Sequence, residues 1–150
     1  MCSPGWPCPS LQKVPLMPFA VTHDSDHDVA VLTHTGPVDE PEMRASRVAL
    51  AVCAGRNACR GAIIDIRDAQ IQTEPVDIIA NVEGLTRDLG PMVRLAFVSR
   101  EADQSVVAMI VATVAFSSGT KVGEFADLDA ALNWVGNRRD TVLGNRDRSI

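Results

Sequence analysis

The stretch at residues 61–72, GAIIDIRDAQIQ, decides the fold. It opens with an apolar and largely β-branched run that a single acid, Asp65, interrupts. A loop rich in Cys, Arg and Gly precedes it, and Thr73-Glu74-Pro75, a pattern that starts helices, follows it. A short apolar run between such breakers is typical of a strand buried on both faces. We therefore predict that this stretch is the central strand of an α/β sheet, and we expect any site to lie at its C-terminal end.

The composition indicates a single soluble domain. Of 150 residues, 46% are hydrophobic and 22% charged, which is sufficient for one buried core. The net charge of -5 argues against nucleic-acid binding, because phosphate contacts need a basic surface. Aromatic residues make up only 4%, which argues against a base-stacking platform. The longest apolar run, 106–112, is too short to span a bilayer.

The cysteines do not predict a metal or redox site. They are Cys2, Cys8, Cys53 and Cys59, and their spacings lack the close pairs of a zinc site. Because the sequence shows no secretory signal pattern, we expect reduced thiols in a cytoplasmic protein. Cys53 and Cys59 are expected to be buried thiols, and no cofactor is predicted.

The N-terminal part divides into an irregular segment and a hairpin. Residues 1–18 contain five prolines, so we expect a disordered or irregular extension there. Strands are expected at 19–22 and 29–35, with Gly36-Pro37 closing the hairpin. The turn between them holds His23, Asp24, Asp26, His27 and Asp28. These side chains could bind a metal, but a solvated turn explains the same composition, and we predict no metal.

Helices and strands alternate through the rest of the chain. Strands are predicted at 92–98 and 121–125, and helices at 40–54, 74–89 and 128–137. Asp39, Thr73 and Asp127 are the expected N-terminal caps of these three helices. A further helix, which Ser99 would cap, is apolar from 106 to 116 except at Thr113, and therefore has no obvious solvent face. Residues 138–150 are expected to form a flexible polar tail.

The predicted order is β-β-α-β-α-β-α-β-α, a mixed sheet with an N-terminal antiparallel hairpin and about four helices. This order, together with the segments AIIDIRDAQIQTEP and KVGEFADLDAALNWV, resembles the STAS or SpoIIAA-like family of bacterial α/β domains. The resemblance covers residues 19–137. It implies a SpoIIAA-like fold and a domain that acts by binding.

The resemblance also implies where a regulatory site would lie. Family members of the anti-sigma factor antagonist type carry a phosphorylated Ser or Thr where the central strand gives way to the second helix. Here that place reads Gln72-Thr73-Glu74-Pro75. Thr73 is therefore the phosphorylation candidate, and Glu74 falls about where the phosphoacceptor would be. The fold group also resembles CRAL-TRIO domains, which hold apolar ligands.

Several further residues are candidates for ligand or partner contacts. Asp65 lies inside the predicted strand beside Asp68, and a buried carboxylate needs a partner. Its alternative role is to bond the local loop. The apolar segment 106–116, with Met109, Thr113 and Phe116, is either covered by neighbouring structure or forms a dimer face or the wall of an apolar pocket.

The sequence thus predicts a non-enzymatic binding or regulatory domain, homodimeric through the apolar helix at 106–116. No nucleophile–base pair, phosphate loop or metal cluster stands out, which disfavours an enzyme. Three alternatives remain open: a carrier of a small apolar ligand, a partner switch phosphorylated at Thr73, and an enzyme that uses Asp65 and histidines. No nucleic acid and no membrane span are predicted.

Overall fold

The computed structural model describes residues 19–90, 93–100, 107, 109–114, 117 and 119–136. The expected N-terminal extension, the polar tail and Phe116 lie outside these residues. The described strands are β1 (Phe19–Asp24), β2 (Val29–Val38), β3 (Gly61–Ile71), β4 (Arg94–Val98) and β5 (Val122–Phe125). The helices are α1 (Glu40–Arg56), α2 (Pro75–Leu89), α3 (residues 109–114) and α4 (Leu128–Gly136).

The five described strands form one sheet in the order β1-β2-β3-β4-β5. β1 and β2 are antiparallel, and the other neighbours are parallel. The predicted element order and the central place of β3 are therefore confirmed. β3 is buried from Gly61 to Ile66 because helices cover both faces of the sheet.

Two apolar layers pack on the sheet. On one face, Ala62 and Ile64 of β3 join a cluster with residues of α1, α2 and α3. On the other face, Ile63 packs with Ala131 and Val135 of α4. Successive residues of a strand point to opposite faces, so the unbroken apolar run supplies both layers at once. Among the described residues, no helix has the length and apolar character needed to cross a bilayer.

The end of β2 differs from the prediction. Gly36-Pro37 does not close the hairpin, because β2 continues through it to Val38, paired with β3 as far as Ile71. The described pairing of β1 ends at His34, so Pro37 lies where its missing N–H interrupts no ladder with β1. Gly36 has a φ of 77°, which a glycine adopts without steric cost.

An irregularity in the β2–β3 register separates the two halves of β3. Thr33 pairs with Asp65, and the next pair, Thr35, is with Asp68, so β3 holds one extra residue in this interval. Such a bulge bends the strand and re-aims side chains. Beyond it the described pairing of β3 is with β2, since β4 ends at Val98, opposite Asp65.

The helix caps confirm two predictions and correct a third. The Asp39 carboxylate accepts from Glu42 N at 3.1 Å, and that of Asp127 accepts from Ala130 N at 2.8 Å. The prediction that Thr73 caps α2 is wrong, because Glu74 holds the cap position with extended backbone and no side-chain cap bond. Thr73 lies one residue too early, and its hydroxyl bonds to another strand instead.

The described part of α3 has a solvent face, which the sequence did not predict. Val111 and Val114 are buried, whereas Met109, Ala112 and Thr113 are exposed. The Thr113 hydroxyl donates to Met109 O at 2.9 Å, so its polar group is satisfied within the helix. The sequence did not indicate this solvent face because the exposed residues are mostly small or apolar.

Candidate functional site

The ends of β2 and β3 meet the start of α2 at the C-terminal edge of the sheet. Val38 O accepts two bonds there, one from Gln72 N at 2.9 Å and one from the Thr73 hydroxyl at 3.1 Å. The chain leaving β3 is thereby tied to the last residue of β2. The α2 start is therefore held in place by the sheet and not by a cap of its own.

Thr73 is buried at this junction, with 9% of its surface exposed. Its hydroxyl, the group that would accept a phosphoryl group, donates to Val38 O. A kinase would need this segment to open before the oxygen could react. Phosphorylation of Thr73 stays a prediction, and the described conformation does not present the hydroxyl.

The first turn of α2 carries both charge and exposed apolar surface. Glu74 is exposed, and its carbonyl accepts from Asp77 N and Ile78 N at 2.9 and 3.0 Å. A carboxylate at a helix N-terminus is favoured by the helix dipole. Val76 is 69% exposed and Ile79 37% exposed. The structure thus places an acid and two large apolar side chains on one small surface.

Asp65 has its partner within its own strand. The side chain of Arg67 donates to both carboxylate oxygens of Asp65, at 3.1 and 2.8 Å, and the Arg67 backbone N–H donates at 3.1 Å. Arg67 thus supplies the partner that this buried carboxylate needs. Asp68 lies one residue further and is exposed. The Asp65 carboxylate is therefore hydrogen-bonded within the bulged part of β3, and of these two acids Asp68 is the one that faces solvent.

A polar network fixes α2 against α1. Arg47 of α1 donates to Asn81 Oδ1 at 2.9 Å and to Asp88 at 3.2 Å. Asn81 in turn donates to Glu40 at 3.2 Å, and Glu40 also pairs with Arg44. Sequence reasoning missed Asn81 because its partners lie far away along the chain. The network holds the surface at the start of α2 on a rigid helix pair.

A buried His–Ser pair lies under α1 that the sequence did not reveal. His34 Nε2 and Ser46 Oγ are 3.0 Å apart, and the Ser46 hydroxyl donates to Met43 O at 2.9 Å. With the Ser46 hydroxyl donating to Met43 O, its oxygen accepts from His34 Nε2 in the tautomer that carries the proton there. Burial lowers the pKa of His34 to about 4, which keeps the ring neutral.

Glu42 completes an arrangement that looks like a catalytic triad. Its Oε2 lies 3.9 Å from His34 Nδ1, and both atoms are buried without a hydrogen-bond partner. Burial, followed by the charge of Asp39, raises the pKa of Glu42. Ser46 and His34 are only 1% and 3% exposed, and the Ser46 proton points away from the imidazole. The arrangement is a buried polar cluster and lacks an activated nucleophile.

A small cavity lies beside this cluster, between the sheet and three helices. Its volume is about 50 Å³, and its lining surface is almost entirely apolar, although His34, Ser46, Arg47 and Asn81 are among the lining residues. Val107 and Val111 from the α3 region form part of its wall. Pockets for small organic ligands have volumes of roughly 300–1,000 Å³. The cavity holds a group no larger than a few atoms.

The hairpin histidines do not share a site with each other. His27 lies 3.2 Å from Asp24, and His23 lies 3.2 Å from Asp28. The His27 backbone N–H donates to Asp24 and is the main reason that the pKa of this carboxyl is lowered. Cys59 is buried, and burial raises the pKa of its thiol to about 11, so the free thiol is a poor nucleophile.

Comparison with known proteins establishes the fold. No protein-family model and no curated protein matches the chain. An uncharacterised protein of known structure with a SpoIIAA-like fold, from Shewanella loihica, is 16% identical, with 78% of this chain and 91% of that chain covered and a TM-score of 0.53.

The unphosphorylated form of the anti-sigma factor antagonist SpoIIAA is a second similar structure. It is 15% identical, with 79% of this chain and 98% of that chain covered and a TM-score of 0.56. At this identity the likeness concerns the fold alone. The chain has a SpoIIAA-like fold, as the sequence predicted.

Proposed function

We propose that this chain is a non-enzymatic domain that binds a protein partner at the first turns of α2. The observation that carries the proposal is the exposure of Val76, which at 69% exceeds that of the other large apolar side chains in the described part of the chain. Ile79 lies one turn further on the same helix. Burial of a fully exposed apolar side chain contributes roughly 1.5–3 kcal/mol, and a partner that covers Val76 and Ile79 would gain the share of this that corresponds to their exposed surface.

Rigidity of α2 supports this assignment. Ile78, Val82 and Leu85 anchor its inner face in the core, and Arg47 holds Asn81 from α1. A surface that is already ordered loses little conformational entropy on binding. The start of α2 should therefore bind a partner at a low cost in conformational entropy.

The second similar structure supports a partner that is a protein, because an anti-sigma factor antagonist is by its name directed at another protein. We propose that the present chain binds without a phosphorylation switch. Thr73 donates its hydroxyl to Val38 O, and Glu74 supplies a permanent charge at the same edge. Phosphate on Thr73 after incubation with lysate and ATP would overturn this part of the proposal.

The test is capture of a partner by the tagged full chain from a lysate of the source cells. The partner should be captured by the parent chain, lost with Val76→Glu and Ile79→Glu, and retained with Val52→Glu. Val52 is an exposed apolar residue of α1 and serves as the matched control. A partner held equally by all variants, or none captured by the parent, would contradict the proposal.

A homodimer through residues 106–116 is the second candidate function, and Met109 is the observation that favours it. Its side chain is 63% exposed on α3. The carrier alternative draws only on the cavity of about 50 Å³, which is too small for a lipid-sized ligand unless α3 moves. We therefore rank the carrier role below both kinds of protein contact.

A further inference from the structure

Three metal-ligating side chains of different chemistry meet at the end of the sheet opposite to the start of α2. His23 lies in β1, Asp28 ends the turn before β2, and Cys59 lies between α1 and β3. Their imidazole nitrogen, carboxylate oxygen and sulfur all lie within 4.8 Å of one another. We propose that His23, Asp28 and Cys59 bind a divalent cation of the zinc class.

The spacing fits such an ion with little movement. With Zn–N and Zn–O bonds of about 2.0–2.1 Å and a Zn–S bond of about 2.3 Å, ligand atoms of a tetrahedral site lie about 3.3–3.6 Å apart. His23 Nε2 and Asp28 Oδ1 are 3.2 Å apart. The Cys59 sulfur has to approach them by at most about 1.5 Å to reach zinc geometry.

The donor set selects the class of metal. Imidazole nitrogen and thiolate sulfur suit zinc, whereas magnesium and calcium prefer oxygen ligands only. Three protein ligands leave the fourth tetrahedral position to a water molecule. The side chains of His23 and Asp28 are 29% and 40% exposed, so the open position faces solvent while buried Cys59 forms the floor. As the sulfur–metal bond forms, the thiol releases its proton to solvent.

Backbone hydrogen bonds hold the contributing segments together. Arg60 N donates to Asp28 O at 2.8 Å, which links the loop before β3 to the hairpin turn. Cys59 N donates to Ala54 O at 3.0 Å, and Asp28 N donates to Asp24 O at 2.7 Å. The ligands therefore come from segments whose relative positions are fixed before any ion binds.

Titration of the full chain with Co²⁺, followed by displacement with Zn²⁺, tests the proposal. The protein is reduced and treated with a chelator, and Cys2 and Cys8 are replaced by Ser in every sample so that their thiols cannot contribute. We expect one equivalent of Co²⁺ with a thiolate-to-cobalt charge-transfer band, which Cys59→Ala abolishes. His23→Ala and Asp28→Asn should weaken binding at least about tenfold, since even the loss of an outer-shell partner costs roughly 10–100-fold.

His27→Ala is the matched control, because His27 lies in the same turn and pairs with Asp24 instead. Its affinity for Co²⁺ should equal that of the parent. A second measurement covers the risk that Cys59→Ala fails to fold: Zn²⁺ should raise the Tm of the parent and not that of His23→Ala. Absence of the charge-transfer band in the parent, or equal affinity of His23→Ala and the parent, would overturn the proposal and leave the α2 surface unaffected.

Discussion

His34 is a titratable side chain closed inside the layer between the sheet and the helices. It is 3% exposed, and burial lowers its pKa from 6.5 to about 4. His34 therefore binds a proton near pH 6.5 in the unfolded chain, but only near pH 4 in the folded chain. Stability from this residue is complete above pH 6.5 and is lost as the pH falls towards 4.

Replacing His34 by Gln should make the free energy of unfolding depend less steeply on pH below pH 6.5. Between pH 6.5 and 5 the parent should lose on the order of 1–2 kcal/mol of unfolding free energy through this residue. Gln keeps an N–H donor for Ser46 and does not titrate. Urea unfolding at several pH values measures the slope.

Glu42 contributes to the same pH dependence of stability in the opposite direction. Its pKa is raised by burial, so its folded form binds a proton more readily than its unfolded form. This contribution stabilises the fold as the pH falls through the carboxyl range and opposes the effect of His34. Both proteins keep Glu42, so the quantity compared is the difference between their slopes, and identical slopes for the parent and His34→Gln would contradict the assignment.

Asp65 and Arg67 are paired where β3 bulges, and the pair predicts a second stability effect. Arg67→Met removes both side-chain donors and leaves the carboxylate, 9% exposed, without a countercharge. We expect a loss of about 1–3 kcal/mol, reduced from the value for a fully buried pair because Arg67 is partly exposed. Chemical denaturation measures it.

Arg44→Met is the matched control for that prediction. Arg44 pairs with Glu40 on the surface of α1 with 58% of its side chain exposed, so its loss should cost clearly less than the loss of Arg67, because solvent screens an exposed pair. Equal costs for the two variants would show that the Asp65 pair contributes nothing beyond an ordinary surface pair.

At the scale of elements, the sequence correctly predicted the features that depend on neighbouring residues along the chain. The apolar run of β3 and the caps Asp39 and Asp127 depend on residues within one turn or one strand, and they were predicted correctly. Thr73 was assigned to a cap because the sequence does not show Val38 O, which lies 35 residues earlier and accepts its hydroxyl. Gly36-Pro37 stayed within a strand because this part of β2 pairs with β3, which is tertiary information.

Met109 carries the prediction for α3. If this helix forms a homodimer face, the parent chain should have the mass of a dimer in native mass spectrometry, and Met109→Lys should be monomeric. A charge placed at the centre of an apolar contact loses its hydration and has no partner there. Val48→Lys, at an exposed apolar position on α1, should remain dimeric. A monomeric parent would end the dimer proposal.

At the scale of the whole molecule, the two proposed sites occupy opposite ends of the parallel strands. The start of α2 follows the end of β3, at the C-terminal edge where the sequence leads us to expect a site, because sites collect at this edge of such sheets. The cluster of His23, Asp28 and Cys59 was not predicted, because three separate segments contribute to it. The sequence showed two of its members in a turn, and only the folded chain supplies Cys59 as the third.

Gly61 joins the layers of the molecule, and its substitution gives the prediction with the widest structural effect. A Cβ at this position would collide with Arg94 O of β4 and with the Val135 side chain of α4. Gly61→Ala must therefore push the central strand away from its neighbour or from the helix below it. The atoms in the way include backbone, and we expect a loss of roughly 1–3 kcal/mol, as for other overpacked cores.

Gly55→Ala is the control, since nothing lies within 4 Å of a Cβ there, and in a helix this change should stabilise by about 0.5–1 kcal/mol. Urea unfolding should therefore move the two glycine variants in opposite directions, and a neutral Gly61→Ala would show that β3 and α4 pack less closely than the structure indicates.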